Sequence, residues 1–231
     1  MNIAIIAAAG QGVRMGGARA KQFLELAGTP IIIHTLKRFE QCADIHEIIL
    51  VLPAQDAPGF LALAGRHGLQ RKLARVVPGG ATRAESVLRG LQSVRAATAR
   101  IIAVHDGVRP FVTADEISRT VHAAEATGAA ILAAPVIETI KEVESGRVVR
   151  TLARDRLRRA LTPQCFRYHI LRQAYEQAPG FGMDATDDSL LVERLGTAVT
   201  VVEGDPRNIK ITSPADIALA ERILKTVASS Q

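Results

Sequence analysis
The stretch Asn2–Lys21, NIAIIAAAGQGVRMGGARAK, constrains the fold more than any other segment of the chain. Its apolar run Ile3–Ala8 is too short for a buried helix and is closed by Gly10, which is how a parallel strand covered on both faces reads. Similar short runs recur at Glu47–Leu52, Ala74–Val77, Ile101–His105 and Ala129–Pro135, separated by segments with helical spacing. Strands alternating with helices predict one mostly parallel α/β sheet with helices on both faces.

The turn after the first strand carries Gly10, Gly12, Gly16 and Gly17, with Arg14 and Lys21 among them. Glycines let a backbone approach a ligand and point its N–H groups inward. Two cations in the same loop suit a ligand with several negative charges, a polyphosphate above all. The loop matches neither common phosphate motif. Met15 stands where a dinucleotide fingerprint needs its third glycine, and no GxxxxGK run followed by Ser or Thr is present. Gly-x-Gly-x-Arg-Met-Gly resembles the signature of nucleotidyltransferases that join a nucleoside triphosphate to a sugar or polyol phosphate. Taken alone, the loop also fits a glycine-rich turn with two solvated cations.

Further along, Thr29-Pro30 predicts an N-cap and first helical position, ahead of an apolar stripe at Ile32, Ile33, Leu36 and Phe39. A helix is expected over 56–67. Thr82–Glu85 reads as a capping box opening a helix to about Arg95, and Gly79, Gly80, Arg83 and Ser86 at its start form a second anion or polar-ligand site. Asp106 ends the strand Ile101–His105, where open α/β sheets bind ligands, although a carboxylate there can also cap a turn. Thr113–Glu116 is another capping box, opening a helix to about Thr127. The rhythm changes at Thr139–Val143 and Arg147–Thr151, which alternate around Glu144-Ser145-Gly146 as a β-hairpin polar on both sides. Such a hairpin projects from the sheet and needs a partner. Arginines crowd here, at Arg147, Arg150, Arg154, Arg156, Arg158 and Arg159. Leu161–Phe166 returns to the sheet, helices follow from about Tyr168 and Asp187, and late strands are expected at Val199–Val202 and Ile209–Ile211. Ser213-Pro214 opens a last helix. With no linker or repeat, residues 1–231 read as one domain with an arm at about 137–153.

Composition narrows the function classes. The formal charge of +6 could suit nucleic acid, but six Phe, two Tyr and no Trp leave little for base stacking, and no nucleic-acid motif is present. Anionic small substrates account for the charge. No run nears the roughly 20 apolar residues of a membrane span, and no cationic region precedes the first apolar run to mark a secretory leader. Cys42 and Cys165 lie far apart and read as unpaired thiols of a reducing, cytoplasmic compartment. Cys165, His34 and His105 lack partners of a catalytic motif and read as packed side chains.

Seven motifs stand in order: AAAGQGVRMGGARAKQ, GGATRAESV, VHDGVRPF, APVIETIK, TLARDRLRRALTPQ, TDDSLLVE and NIKIT. Together they resemble the 2-C-methyl-D-erythritol 4-phosphate cytidylyltransferases of the non-mevalonate isoprenoid pathway, over nearly the whole chain. The resemblance implies a Rossmann-like three-layer nucleotidyltransferase fold. It implies formation of 4-diphosphocytidyl-methylerythritol and pyrophosphate from CTP and the polyol phosphate, with Mg²⁺. By matching motif, Ala8, Ala9, Gly10 and Gly12 line CTP, and Arg14 and Lys21 hold its triphosphate and stabilise charge at the α-phosphorus. Gly80, Arg83 and Ser86 hold the cytosine and ribose side, and Asp106 binds the Mg²⁺ that accompanies the nucleotide. Arg109, Thr139, Arg154, Thr162 and Lys210 bind methylerythritol phosphate, with Arg154 and Lys210 aiming its phosphate. In that family the arm crosses to a second subunit, so the resemblance implies a homodimer in which Thr139 and Arg154 act in trans. Ala20, Gly107 and Arg158 stand where the family often has proline, alanine and tryptophan. A cytidylyltransferase for another polyol phosphate, such as ribitol 5-phosphate, shares the CTP motifs and is the nearest rival. A nucleotide-binding regulator with an inactive site is a second.

Overall fold
The computed structural model describes residues 1–10, 20–181 and 185–228. Its core is a seven-stranded sheet of order β11-β7-β10-β6-β1-β4-β5. The strands are β1 (Asn2–Ala7), β4 (Glu47–Leu52), β5 (Leu73–Pro78), β6 (Ile101–Asp106), β7 (Ala129–Pro135), β10 (Arg158–Arg167) and β11 (Thr200–Glu203). β1 is an interior strand, parallel to β4 on one side and to β6, the middle strand, on the other. The apolar runs of β1, β4, β6 and β7 are almost wholly buried, as strands covered on both faces require, whereas the edge strands β5 and β11 are partly exposed.

Each strand divides its side chains between two cores by simple alternation. Ala4, Ile6, Ile48 and Leu50 pack with α1 (Ile31–Gln41), α2 (Ala57–Arg66) and α4 (Ala114–Thr127). Ile3, Ile5, Ile49 and Val51 pack on the opposite face with α3 (Arg83–Gln92), α5 (Tyr168–Phe181) and α6 (Asp188–Arg194). A smaller cluster of Leu26, Ile31, Val108, Phe111, Ile211 and Ala220 docks α7 (Pro214–Ala228) beside the turn that follows β6.

β10 runs antiparallel to both its neighbours, β6 and β7. It bulges between Ala160 and Gln164, where the Thr162–Pro163 peptide is cis. Before it, β8 (Lys141–Glu144) and β9 (Arg147–Thr151) form the expected hairpin, exposed along its length. Ser145 and Gly146, at φ +50° and +77°, make the tight turn.

The structure corrects several boundaries. Thr29 and Pro30 do not start α1: they are β3 (Thr29–Pro30), pairing with β2 (Glu25–Leu26), and Pro30 holds an extended ψ of 138° at the cap position. The Thr82 box is half formed, because Glu85 accepts from Ala81 N–H rather than from Thr82, and α3 ends at Gln92 rather than near Arg95. The Thr113 box is complete. Ile209–Ile211 is not a strand: Ile211 N–H reaches Val108 C=O, but no ladder forms.

Candidate active site
The C-terminal ends of β1 and β6 open into one cleft, and this is where glycine turns and charge meet. Its lining includes Ala8, Ala9, Gly10, Lys21, Gly80, Arg83, Ser86, Asp106 and Lys210, nine of the residues named from sequence. Gly12 and Arg14 lie outside the described residues. Thr139, on the arm, and Arg154, directly after it, are exposed and not part of this lining; the Arg154 guanidinium donates to Ile137 C=O at 3.1 Å.

Asp106 is the centre of charge. Its side chain is 8% exposed and meets Arg83 Nε on Oδ1 at 3.0 Å, with Arg109 Nε and Lys210 Nζ on Oδ2 at 3.1 and 3.0 Å. Burial pushes this carboxyl up, but the charges of Arg83, Lys210 and Arg109 outweigh it and hold the group well below the ordinary carboxylate range. Two of the three cations are tied at a second point. Arg83 Nη1 lies 2.9 Å from Asp188 Oδ2, and Arg109 Nη1 donates to Asn208 C=O at 2.9 Å. Lys210, 37% exposed, is the most accessible of the three.

The floor beneath Asp106 is a buried polar chain. Thr162 Oγ1 accepts from Asp106 N–H at 3.2 Å and donates to His105 Nδ1 at 2.9 Å. His105 Nε2–H then donates to Arg109 C=O at 3.1 Å, which requires the neutral Nε2–H tautomer. Burial drives the His105 pKa down to about 3. The histidine expected as a packed residue is therefore packed and also a strut between β6, β10 and the turn at Arg109. Thr162 likewise holds the floor of the cleft. Cys165 is buried and burial pushes its thiol up, which removes it as a nucleophile.

The second glycine turn is braced from within. Ser86 Oγ accepts from Gly80 N–H at 3.1 Å and donates to Thr82 C=O at 2.9 Å, and Arg89 Nη1 donates to Gly79 C=O at 2.7 Å. Gly79 has no room for a side chain, since a Cβ there would lie 2.2 Å from Ala9 Cβ. The segment that follows β1, at Ala9, is thus in direct contact with the second glycine turn, at Gly79.

Sequence reasoning missed three groups. Gln22, 1% exposed, lines the cleft, and neither of its amide atoms has a partner among the described residues. Asn208, fully buried, donates to Thr162 C=O at 2.9 Å and carries the carbonyl that holds Arg109. Asp188 reaches Arg83 from behind. Gln22, Asn208 and Asp188 all stood inside quoted motifs, so the signal was present without a contact to interpret it.

A mostly parallel α/β sheet with a glycine turn, Lys21 and a cation-ringed carboxylate at its carboxyl edge defines a nucleotidyltransferase. The family model for 2-C-methyl-D-erythritol 4-phosphate cytidylyltransferase (IspD) matches residues 2–226. The chain belongs to that family. A cytidylyltransferase of that name from Geobacter metallireducens is 44% identical over 225 residues, covering 96% of this chain and 97% of its own. One from Bacillus velezensis is 44% identical over 224 residues, covering 96% and 95%. Among solved structures, the 4-diphosphocytidyl-2C-methyl-D-erythritol synthase of Anaerococcus prevotii aligns with a TM-score of 0.86 at 31% identity, covering 97% of this chain and 98% of its own. The Thermus thermophilus cytidylyltransferase aligns at 0.78 and 34% identity, covering 96% and 98%.

Proposed function
We propose that this chain transfers the cytidylyl group of CTP to 2-C-methyl-D-erythritol 4-phosphate, releasing pyrophosphate. The observation that carries the reading is the placement of Asp106, with Arg83, Arg109 and Lys210 upon it, in one cleft with Lys21 and Gly10.

The nucleophile is itself a phosphate, whose second pKa of about 6 leaves it mostly dianionic at neutral pH. No protein base is needed to create it. The obstacle is repulsion between that dianion and a triphosphate, and fixed cations are the remedy. Lys21 and Arg14 serve the triphosphate in this reading, and Lys210 and Arg109 serve the polyol phosphate. Ala8, Ala9, Gly10 and Gly12 offer backbone to the nucleotide, with Gly80, Arg83 and Ser86 forming the wall on its base and ribose side.

Asp106 suits Mg²⁺ through Oδ1, an ionised hard oxygen that meets one cation where Oδ2 meets two, and Mg²⁺ commonly takes only one or two carboxylates beside phosphate oxygens and water. Among the described residues no group of three or more His, Cys, Asp or Glu side chains could hold an ion by themselves, which fits a metal brought in with the nucleotide. When bound, Mg²⁺ would neutralise part of the triphosphate charge.

Residues 137–153 act in this reading as the dimerisation arm of a one-domain chain. Ile137, Val143, Val148 and Val149 are 55–75% exposed on it, apolar surface that a second copy would cover. Thr139 and Arg154, not part of the cleft lining of their own chain, would then complete the partner's site. No helix among the described residues is long and apolar enough to cross a membrane. Two buried, unbridged cysteines support a reducing compartment, the cytoplasm.

The test is pyrophosphate release with CTP, ATP, GTP and UTP, each with methylerythritol phosphate and with ribitol 5-phosphate. Turnover is expected with CTP and methylerythritol phosphate. Equal or better turnover with ribitol 5-phosphate would overturn the substrate assignment.

A further inference from the structure
The motif Thr186-Asp187-Asp188 takes no part in the reading above, yet it ends on the most deeply buried carboxylate near the cleft. Asp188 is fully buried. Its Oδ1 accepts from Tyr175 Oη–H at 2.6 Å, and its Oδ2 lies 2.9 Å from Arg83 Nη1. The same guanidinium places Nε 3.0 Å from Asp106 Oδ1. Arg83 therefore spans two carboxylates, one in the cleft and one behind it.

Asp188 is in turn held by β10. Gln164 Oε1 accepts from the N–H groups of Asp188 and Ser189 at 3.1 and 3.0 Å, and Gln164 Nε2 donates to Asp187 Oδ2 at 2.8 Å. Gln164 stands two residues beyond Thr162, which accepts from Asp106 N–H. One strand thus fixes both ends of the Asp106–Arg83–Asp188 chain. Burying a carboxylate costs several kcal/mol, and apolar packing would serve α6 as well. The geometry shows what the charge does instead. It gives the cluster two carboxylates against Arg83, Arg109 and Lys210, and it fixes the guanidinium from the far side.

We propose that Asp188 is a positioning residue for this active site, pinning Arg83 so that its Nε bears on Asp106 Oδ1 and sets the rotation of that carboxylate. Oδ2 is then left to Arg109 and Lys210. Asp188 acts through Arg83 and touches no substrate. The proposal rests on the functional reading given above.

The experiment is a double-variant cycle with kcat, KM and melting temperature measured for wild type, Asp188→Asn, Arg83→Ala and the pair, with Tyr175→Phe alongside. Asp188→Asn is expected to lower kcat by about 10–100-fold, the scale for losing a partner that orients a ligand-bearing side chain. KM for the polyol phosphate should stay within about twofold, and adding Asp188→Asn to Arg83→Ala should change kcat by no more than about twofold. Tyr175→Phe keeps the charge and loosens its seat, so kcat should fall by a smaller factor without loss of fold. Multiplicative losses in the paired variant, or wild-type kcat in Asp188→Asn, would overturn the proposal. Should Asp188→Asn not fold, wild-type kcat in Tyr175→Phe would overturn it. A wild-type chain silent with both substrates overturns the functional reading and this proposal together, whereas an active one with additive losses overturns the proposal alone.

Discussion

Gly79→Ala tests whether Ala9 and the Gly79-Gly80 turn form one rigid wall. A Cβ at position 79 would lie 2.2 Å from Ala9 Cβ, 3.0 Å from Ser86 Oγ and 3.4 Å from Leu52 C=O. Ordinary contact begins at 3.4 Å, so the gap to Ala9 must open by at least 3.4 − 2.2 = 1.2 Å. Ala9 has no rotamer with which to yield. Gly79 N–H is also bound to Leu52 C=O at 2.7 Å, which resists movement of the second turn. The backbone at Ala9 or at Gly79 must therefore move. Overpacking of this kind costs about 1–3 kcal/mol, and each kcal/mol lowers the melting temperature of a chain this size by about 2–4 °C. Activity should suffer more than stability. Ala9 and Gly80 both line the cleft beside this contact, and misplacement on the order of 1 Å can cost about 100-fold in rate. The assay is kcat/KM for CTP beside a thermal melt. Gly59→Ala is the control, since a Cβ in that α2 position meets nothing within 4 Å. It should add stability, about 0.5–1 kcal/mol, and leave turnover alone. A Gly79→Ala enzyme with wild-type kcat/KM would show that Ala9 and Gly79 need not touch for the reaction.

Three further outcomes are expected. Lys210→Ala should lower kcat by about 10²–10³-fold, the scale for a preorganised donor, and change stability by less than about 1 kcal/mol because the side chain is 37% exposed; a large melt shift with normal kcat would reverse its role. Chelating divalent cations should stop turnover without moving the melting temperature, because the metal proposed above arrives with the nucleotide; persistence of turnover would remove Asp106 from metal binding. His105, with its pKa pushed from 6.5 to about 3 by burial, refuses a proton that the unfolded chain accepts, so its contribution is complete above pH 6.5 and is lost as pH falls from there toward 3. Between pH 7 and 5 this is about 2 kcal/mol, read from urea unfolding, and His105→Asn should flatten that slope; an unchanged slope refutes the assignment.

Much of this site was legible because each piece announces itself locally. Ile3–Ala8 into Gly10, Gly79-Gly80 before a helix, and Asp106 at a strand end are patterns within a few residues, and the structure brings them to one cleft. What was illegible depends on distance along the chain. Nothing in Leu161–Phe166 states its direction, and β10 is antiparallel because the chain re-enters from the arm rather than through a crossover helix. Thr29-Pro30 carried a sound helix-start pattern, but pairing with Glu25–Leu26 took those residues first. Arg83 read as a ligand contact because its neighbours are glycines and a serine. Its commitment to Asp188 spans 105 positions and needs Gln164 to seat α6, a relation no local pattern encodes. Gln22 is the converse case, a buried amide whose partners sequence and fold together leave unstated.

The same contacts decide where a pH profile of this enzyme can come from. A general base must hold a proton near the working pH and be able to reach the reacting group. Asp106 is in the cleft, but Arg83, Lys210 and Arg109 keep it ionised far below that range, and a carboxylate so stabilised is a poor base. His105 has ordinary chemistry for the task but sits fully buried, with Nδ1 turned to Thr162 and Nε2 to Arg109 C=O. Cys165 is buried with its thiol pushed up. What titrates near neutrality is the attacking phosphate, at about 6. The acid limb of kcat/KM for the polyol phosphate should therefore fall near pH 6 and persist in folded His105 variants. It should shift when a phosphonate of different second pKa replaces the phosphate. A limb that ignores the phosphonate and moves with a protein variant would place the base on the enzyme and undo the electrostatic account.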